Sequence, residues 1–257
     1  MPDTALERAL RARIDPGGRA FVPYVTAGLG GVDADLLRAI EAAGADALEV
    51  GVPFSDPVMD GGVIQEASRL ALASGFRVSD SFALVREAAL SIPVVLMTYL
   101  NPVVTMGYRA FLDAAEEAGV SGFIVPDLPV DEGGEWTSLC AERELASIYL
   151  AAPGTEAPRL ERVAEASTGF VYCVSTYGVT GARESLSDDA RGLVESLRPL
   201  TRRPLLVGVG ISTPEHAIQA GGFADGVIVG SALVRRLLEG DRQGALDAAA
   251  GFRSALL

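Results

Sequence analysis

The sequence predicts an α/β fold, a single (β/α)8 TIM barrel with an extra helix at its N-terminus. Eight short apolar segments alternate with helical patterns along the 257 residues, and this alternation is typical of a parallel sheet covered by helices. The segments are almost continuously apolar, as in strands that are buried on both faces. One such barrel usually takes about 250 residues. No linker or charged run divides residues 1–257, so we expect one domain, with an open doubly wound sheet as the alternative.

The first element is an amphipathic helix, because Leu6, Leu10 and Ile14 recur on one face of residues 1–14. The predicted strands are Phe21–Thr26, Ala47–Gly51, Pro93–Thr98, Gly122–Val125, Ala146–Ala151, Phe170–Cys173, Leu205–Val209 and Gly226–Val229. The predicted helices are Asp33–Ala43, further turns up to about Ala89, Tyr108–Ala118, Asp131–Glu144, Ala157–Ala166, Asp188–Leu197, Thr213–Ala220, Ala232–Leu238 and Arg242–Leu257.

The composition excludes several kinds of chemistry. All 21 basic residues are arginine, so a lysine that forms a Schiff base is excluded. His216 is the only histidine, which excludes a metal site built from several histidines, and we expect this residue to be exposed on its helix. We therefore predict no metal and no cofactor, and we expect carboxylates to carry out any proton transfer.

The charge and the cysteine content indicate a cytoplasmic protein. A net charge of −13 opposes binding to nucleic acid and to anionic membranes. Cys140 and Cys173 are too few for a disulfide framework, which favours a reducing compartment. No apolar run reaches the length of about 18 residues that predicts a membrane span. We expect no nucleic-acid or membrane partner.

Glycines and long loops mark the C-terminal ends of the predicted strands, where the chemistry of such barrels takes place. The loops Val52–Gly62 and Ser175–Asp188 are longer than the usual connection of about two to six residues, so they are candidate lids. Gly210 and Gly230 follow the last two strands, and Ser231 begins a helix, as in the usual phosphate site of these barrels. Tight strand–helix turns are the alternative interpretation of these glycines.

Two carboxylates are candidates for acid/base chemistry. Glu49 lies near the end of an apolar strand, where burial would raise the pKa of a carboxyl group. Asp60 follows in the next loop, and together the two residues form a workable acid/base pair. A structural glutamate bonded to backbone groups or to an arginine, and an aspartate that only shapes a turn, are the alternatives.

Longer motifs resemble a known family. They are residues 21–28 (FVPYVTAG), 49–57 (EVGVPFSDP), 60–61 (DG), 178–182 (GVTGA), 208–212 (GVGIS) and 230–232 (GSA). From about Phe21 to Leu238 the sequence is similar to the alpha subunit of tryptophan synthase. The resemblance implies a lyase of tryptophan biosynthesis, which cleaves indole-3-glycerol phosphate to indole and glyceraldehyde 3-phosphate by carboxylate acid/base retro-aldol chemistry.

The resemblance also implies roles for individual residues. Glu49 matches the acid/base, Asp60 the carboxylate that accepts the indole N–H, and Tyr172 a tyrosine beside the reacting carbon. The implied phosphate contacts are Gly181, Gly210, Gly230 and Ser231, and the implied indole pocket is Phe21, Met97 and Ile124. A tryptophan synthase beta subunit is the implied partner, in an alpha2-beta2 heterotetramer, with Asp56 and Pro57 in the contact loop.

Two departures from the family pattern keep other functions open. Gly62 stands where proline is common, and Thr176-Tyr177 stand where many members have arginine. Both departures bear on loop closure and on coupling to a partner. The alternatives are a stand-alone indole-3-glycerol-phosphate lyase that releases indole, another sugar-phosphate barrel isomerase that uses two aspartates, and a barrel kept as a binding partner for a beta subunit.

Overall fold

The computed structural model describes residues 3–175, 188–208 and 210–257, which form a closed parallel barrel. Its strands are β1 (Ala20–Thr26), β2 (Leu48–Gly51), β3 (Val94–Met97), β4 (Val120–Ile124), β5 (Ala146–Ile148), β6 (Leu150–Ala151), β7 (Val171–Val174), β8 (Leu205–Gly208) and β9 (Gly226–Val229). They pair in parallel in the order β5-β4-β3-β2-β1-β9-β8-β7-β6. Only Tyr149 separates β5 from β6, so these two are parts of one strand that closes the sheet. The predicted eight-stranded barrel is confirmed.

Helices surround this barrel. They are α1 (Ala5–Ile14), α2 (Ala34–Ala42), α3 (Gly62–Ala73), α4 (Val78–Ala88), α5 (Leu100–Met106), α6 (Tyr108–Glu117), α7 (Gly134–Ala141), α8 (Ala157–Ala166), α9 (Asp188–Leu197), α10 (Pro214–Gly221), α11 (Ser231–Leu238) and α12 (Arg242–Ala255). The sequence did not predict α5, whose first N–H group, that of Leu100, donates to Asp127 Oδ1 at 2.9 Å. None of the helices in the described residues has the length and apolar character needed to span a membrane.

The extra N-terminal helix is confirmed, and it covers the lower end of the barrel. Thr4 caps it by accepting the Glu7 N–H at 3.2 Å, which explains why the helix begins at Ala5. Leu6 and Leu10 are fully buried among the side chains that fill the barrel interior. The upper, C-terminal end is therefore the end at which a ligand can enter.

Strand register determines which side chains point into the barrel. Tyr24 on β1 stands opposite Glu49 on β2, and Glu49 stands opposite Val95 on β3. Val95 belongs to the interior cluster, and residues in register across parallel strands point to the same face. One layer higher, Met97 on β3 stands opposite Ile124 on β4. Glu49 thus lies inside the barrel, just below two apolar side chains.

Candidate active site

A cavity of about 440 Å³ opens at the C-terminal ends of the strands. Eight of the residues predicted for the site line it: Glu49, Asp60, Tyr172, Met97, Ile124, Gly210, Gly230 and Ser231. The other described residues that line it are Tyr24, Met59, Gly61, Gly62, Val63, Ile64, Pro126, Leu150, Val174, Ile211, Ser212, Ile228 and Arg235. Both predicted carboxylates and the predicted glycine-bearing strand ends therefore line one cavity.

Glu49 is a carboxyl group buried inside the barrel. Its side chain is 1% exposed, and within the described residues its Oε2 atom has no hydrogen-bond partner. Burial, and next the negative charge of Asp60, raise the pKa of Glu49 to about 8. At neutral pH Glu49 is therefore a protonated acid, ready to donate a proton.

Asp60 sits in the same cavity in the opposite protonation state. Burial raises its pKa to about 6, while a hydrogen bond from Tyr99 opposes that rise. The Tyr99 hydroxyl donates to Asp60 Oδ2 at 3.2 Å and accepts the Met59 N–H at 3.0 Å. Phe54 stacks on the Tyr99 ring at 4.9 Å between ring centroids. These contacts position the loop after β2 so that Asp60 and Glu49 line the same cavity with different pKa values, a division of roles that suits acid/base catalysis.

Replacing Tyr99 with phenylalanine should move the acidic limb of the pH profile of kcat/KM to higher pH. The substitution keeps the ring that stacks on Phe54 but removes the hydroxyl that favours ionised Asp60, so the pKa of Asp60 rises further. Tyr149→Phe is the matched control, since it loses hydrogen bonds to Gly133 and Thr137, neither of which lines this cavity. An acidic limb that does not move would show that Tyr99 does not tune Asp60.

Two tyrosines flank Glu49, and both depend on nearby glycines. A Cβ atom on Gly51 would lie 2.0 Å from the Tyr24 hydroxyl oxygen, and one on Gly208 would lie 2.1 Å from that of Tyr172. Only glycine at these two positions leaves room for the phenols. Burial raises the pKa of Tyr24 and of Tyr172 well above the ordinary value, so both stay protonated.

The pocket assignment for Phe21 is wrong. The side chains of β1 alternate, so Ala20 and Val22 join the barrel interior while Phe21 points outward to the helices. There its ring stacks on Phe252 with centroids 6.3 Å apart. Tyr24, three residues later, is the aromatic residue of β1 that lines the cavity.

The opposite end of the cavity is rich in backbone donors. Helix α11 begins at Ser231 with Gly230 as its N-cap, and the first N–H groups of a helix have no partner within it. Gly210 adopts a φ of 81°, a left-handed conformation that glycine accepts without strain. These N–H groups and the Ser231 hydroxyl suit a phosphate group. Gly181, the remaining predicted phosphate contact, lies outside the described residues.

Substituting Gly230 with aspartate should weaken the binding of glycerol 3-phosphate about tenfold or more, because a carboxylate at this helix end repels the phosphate. A Cβ atom at Gly230 meets Tyr24 at no less than 3.4 Å, so the new side chain fits. Aspartate is also a favourable N-cap, so the fold should be retained. Gly230→Asn is the uncharged control, and isothermal titration calorimetry is the measurement. Equal affinities for the two variants would place the phosphate elsewhere.

Comparison with known proteins identifies the family. Residues 10–252 match the model of the tryptophan synthase alpha chain family. The chain is 44% identical to the alpha chain of Synechocystis sp. over 253 residues, which cover 95% of this chain and 93% of the relative. It is 46% identical to that of Alkalilimnicola ehrlichii over 237 residues, which cover 90% and 86%. The chain belongs to the tryptophan synthase alpha chain family.

Solved structures of this family have the same fold. A chain of Mycobacterium tuberculosis tryptophan synthase superposes with a TM-score of 0.92 at 37% identity and 99% coverage of both chains. The alpha subunit of Legionella pneumophila tryptophan synthase superposes with a TM-score of 0.89 at 33% identity and 99% coverage of both. Family membership confirms the predicted activity: the chain is a carbon–carbon lyase that cleaves indole-3-glycerol phosphate in tryptophan biosynthesis.

The two residues predicted for the contact loop of this alpha chain lie at the surface. Asp56 is exposed and Pro57 is partly exposed, and neither lines the pocket. Large apolar side chains are exposed in the same loop and on α5: Val58 (73%), Met59 (55%), Val104 (57%) and Met106 (42%). The hydrogen bond between Tyr99, directly before α5, and Met59 joins these two segments.

The exposed position predicted for His216 is also wrong. His216 is buried near the start of α10, and its backbone N–H donates to the capping Thr213 hydroxyl at 3.3 Å. Its ring folds back across the helix end, where Nδ1 lies 3.2 Å from Ser212 Oγ. Ser212 lines the cavity. A histidine in the first turn of a helix can reach back to the residues before the helix. The position of His216 in the sequence could therefore have indicated this contact with Ser212.

Proposed function

We propose that Glu49 and Asp60 carry out the cleavage of indole-3-glycerol phosphate in the 440 Å³ cavity. The observation that carries this proposal is the pair of buried carboxyl groups in one cavity, whose pKa values are raised to about 8 for Glu49 and about 6 for Asp60. Indole lies against Met97, Ile124 and Tyr24, and the phosphate lies at the glycine-bearing ends of β8 and β9. The length of the substrate then spans the cavity from Asp60 to Ser231.

The proton balance of the reaction needs only one carboxyl group. Protonated Glu49 donates its proton to C3 of the indole ring, which interrupts the conjugation of the ring. The resulting carboxylate removes the proton of the hydroxyl on the carbon attached to C3. That oxygen becomes the aldehyde carbonyl, the carbon–carbon bond breaks, and its electron pair returns to the ring. Glu49 ends the cycle protonated, as its raised pKa favours.

Asp60 and Tyr172 assist at other positions on the substrate. The protonated indole carries positive charge, which ionised Asp60 stabilises by accepting the indole N–H. The Tyr172 hydroxyl lies over Gly208 on the cavity wall. It is proposed to contact the reacting carbon in the glycerol phosphate side chain of the substrate. Two carboxylates and one phenol thus serve the reaction without a metal or cofactor.

The partner proposed for this chain is a tryptophan synthase beta subunit, in an alpha2-beta2 heterotetramer. Exposed apolar side chains beside Asp56 and Pro57 support this docking surface, since large exposed apolar patches mark sites of contact with other proteins. The same loop carries Asp60, so docking there bears directly on the catalytic carboxylate. A cytoplasmic location belongs to the same proposal and is supported by Cys140 and Cys173, which are both free and buried.

The test is indole release from indole-3-glycerol phosphate, measured with and without a beta subunit. We expect slow turnover by the chain alone and a large increase on adding the partner, because a partner that binds the catalytically competent loop conformation better shifts the population toward it. Full activity alone, with no response to the partner, would favour a stand-alone lyase. If the complex forms but neither sample releases indole, the chain acts only as a binding partner of the beta subunit.

A further inference from the structure

The phosphate end of the cavity contains a basic side chain that has no role in the proposed reaction steps. Arg235 is the only arginine among the described residues that line the cavity. It lies four residues after Ser231 in α11, so the two side chains share one face of the helix. Side chains in a helix lean toward its N-terminus, which directs Arg235 toward the turn formed by Gly230 and Ser231.

Arg235 has no other electrostatic partner in the described part of the chain. It is exposed, and no hydrogen bond or ion pair engages its guanidinium group there. Its neighbour Arg236 pairs with Asp241 at 3.5 Å. Both arginines lie in the last turn of α11, where a positive charge interacts favourably with the helix dipole. That general role is shared by the two residues, whereas the position on the cavity rim belongs to Arg235 alone.

The electrostatics of the site call for such a charge. The protein carries a net charge of −13, and two carboxyl groups line the cavity. A phosphate monoester is close to a dianion at neutral pH, whereas backbone N–H groups and the Ser231 hydroxyl offer only partial charges. The chain has no lysine, so arginine is the side chain that can bring a permanent positive charge to this place. A guanidinium group also matches the phosphate oxygens by forming two parallel hydrogen bonds.

We propose that Arg235 is the charged contact for the substrate phosphate and selects phosphorylated over unphosphorylated ligands at this site. The inference rests on the proposed location of the phosphate at Gly210, Gly230 and Ser231. It assigns Arg235 to binding, so its loss should raise KM rather than lower kcat. Because Arg235 is exposed, its interaction with the phosphate should also weaken as the salt concentration rises.

The experiment measures the dissociation constants of glycerol 3-phosphate and of inorganic phosphate by isothermal titration calorimetry at low and high salt. Arg235→Met keeps the length of the side chain and removes the charge, Arg235→Lys restores a charge, and Arg236→Met is the matched control on the same helix. We expect Arg235→Met to weaken both ligands about three- to tenfold at low salt, the size expected for one solvated charge pair. Arg235→Lys should recover much of that loss, and Arg236→Met should bind like the wild type.

Two readouts separate this inference from its alternatives. Binding of indole, which lacks the phosphate, should be unaffected by Arg235→Met; a loss there would assign the residue to packing and overturn the proposal. Wild-type affinity for glycerol 3-phosphate in Arg235→Met, or an equal loss in Arg236→Met, would also overturn it. Because binding is measured without turnover, a chain that binds phosphate through Arg235 but cleaves no indole-3-glycerol phosphate would sink the proposed catalytic role and leave this one intact.

Discussion

Replacing Glu49 with glutamine is expected to lower kcat for indole release by about 10²–10⁴-fold, the contribution typical of a general acid/base. The amide has the shape of the carboxylic acid but cannot deliver a proton to the indole ring or take one from the hydroxyl. Indole production from indole-3-glycerol phosphate in the presence of a beta subunit is the measurement. Glu66→Gln, on the surface of α3, is the matched control and should keep full activity.

Stability separates a catalytic Glu49 from a structural one. The pKa of Glu49 is raised in the folded chain, so its favourable effect on folding is complete below the unfolded value of 4.5 and is lost as the pH rises toward about 8. Glutamine has no such titration, so Glu49→Gln should gain stability relative to the wild type across that window. A variant that loses both activity and thermal stability would indicate a structural glutamate, and a stable variant with wild-type turnover would remove Glu49 from the mechanism.

Asp60→Asn is expected to lower kcat by about 10²–10³-fold, the scale for removing one preorganised group that stabilises charge in the transition state. The amide oxygen still accepts the hydrogen bond from Tyr99, so the loop should keep its position and only the negative charge is lost. Since the positive charge on the ring develops only along the reaction path, KM should change much less than kcat.

The control for this second variant is Asp35→Asn on α2, because the side chain of Asp35 is 79% exposed. Steady-state kinetics of the two variants should differ mainly in kcat. If Asp60→Asn raises KM alone, Asp60 binds the substrate in its ground state and has no special role in the transition state.

Hydrophobic patterning was sufficient to predict the barrel, because each buried strand is a short apolar segment between helical patterns. Patterning did not predict α5, a short helix that begins where Asp127 accepts the Leu100 N–H. It also did not reveal the break at Tyr149, since Ala146–Ala151 is apolar throughout apart from Ser147. Both features depend on contacts between segments that local sequence does not encode.

Glu49 was predictable because a glutamate in an apolar strand is costly to bury, and Asp60 was predictable because it follows in the next loop, within a motif of the resemblance. Tyr99 was not, since its contact with Asp60 joins residues 39 positions apart. Phe21 was assigned by resemblance to a motif, although the alternation of side chains along β1 selects Tyr24. The role of lids expected for the loops Val52–Gly62 and Ser175–Asp188 stays a prediction, and residues 176–187 of the second loop lie outside the described part of the chain.

The role of Glu49 as proton donor is tested most directly by titrating the two carboxyl groups in the free protein. Carbon-13 NMR of chains labelled at the side-chain carboxyl carbons of glutamate and aspartate, with Glu49→Gln and Asp60→Asn used to assign the signals, follows both groups at once. We expect one titration near pH 8 that disappears in Glu49→Gln, and one near pH 6 that disappears in Asp60→Asn. Because the two groups interact, each variant should also shift the titration of the remaining carboxyl group. A Glu49 signal that titrates near 4.5, as in an exposed glutamate, would contradict its role as the proton donor.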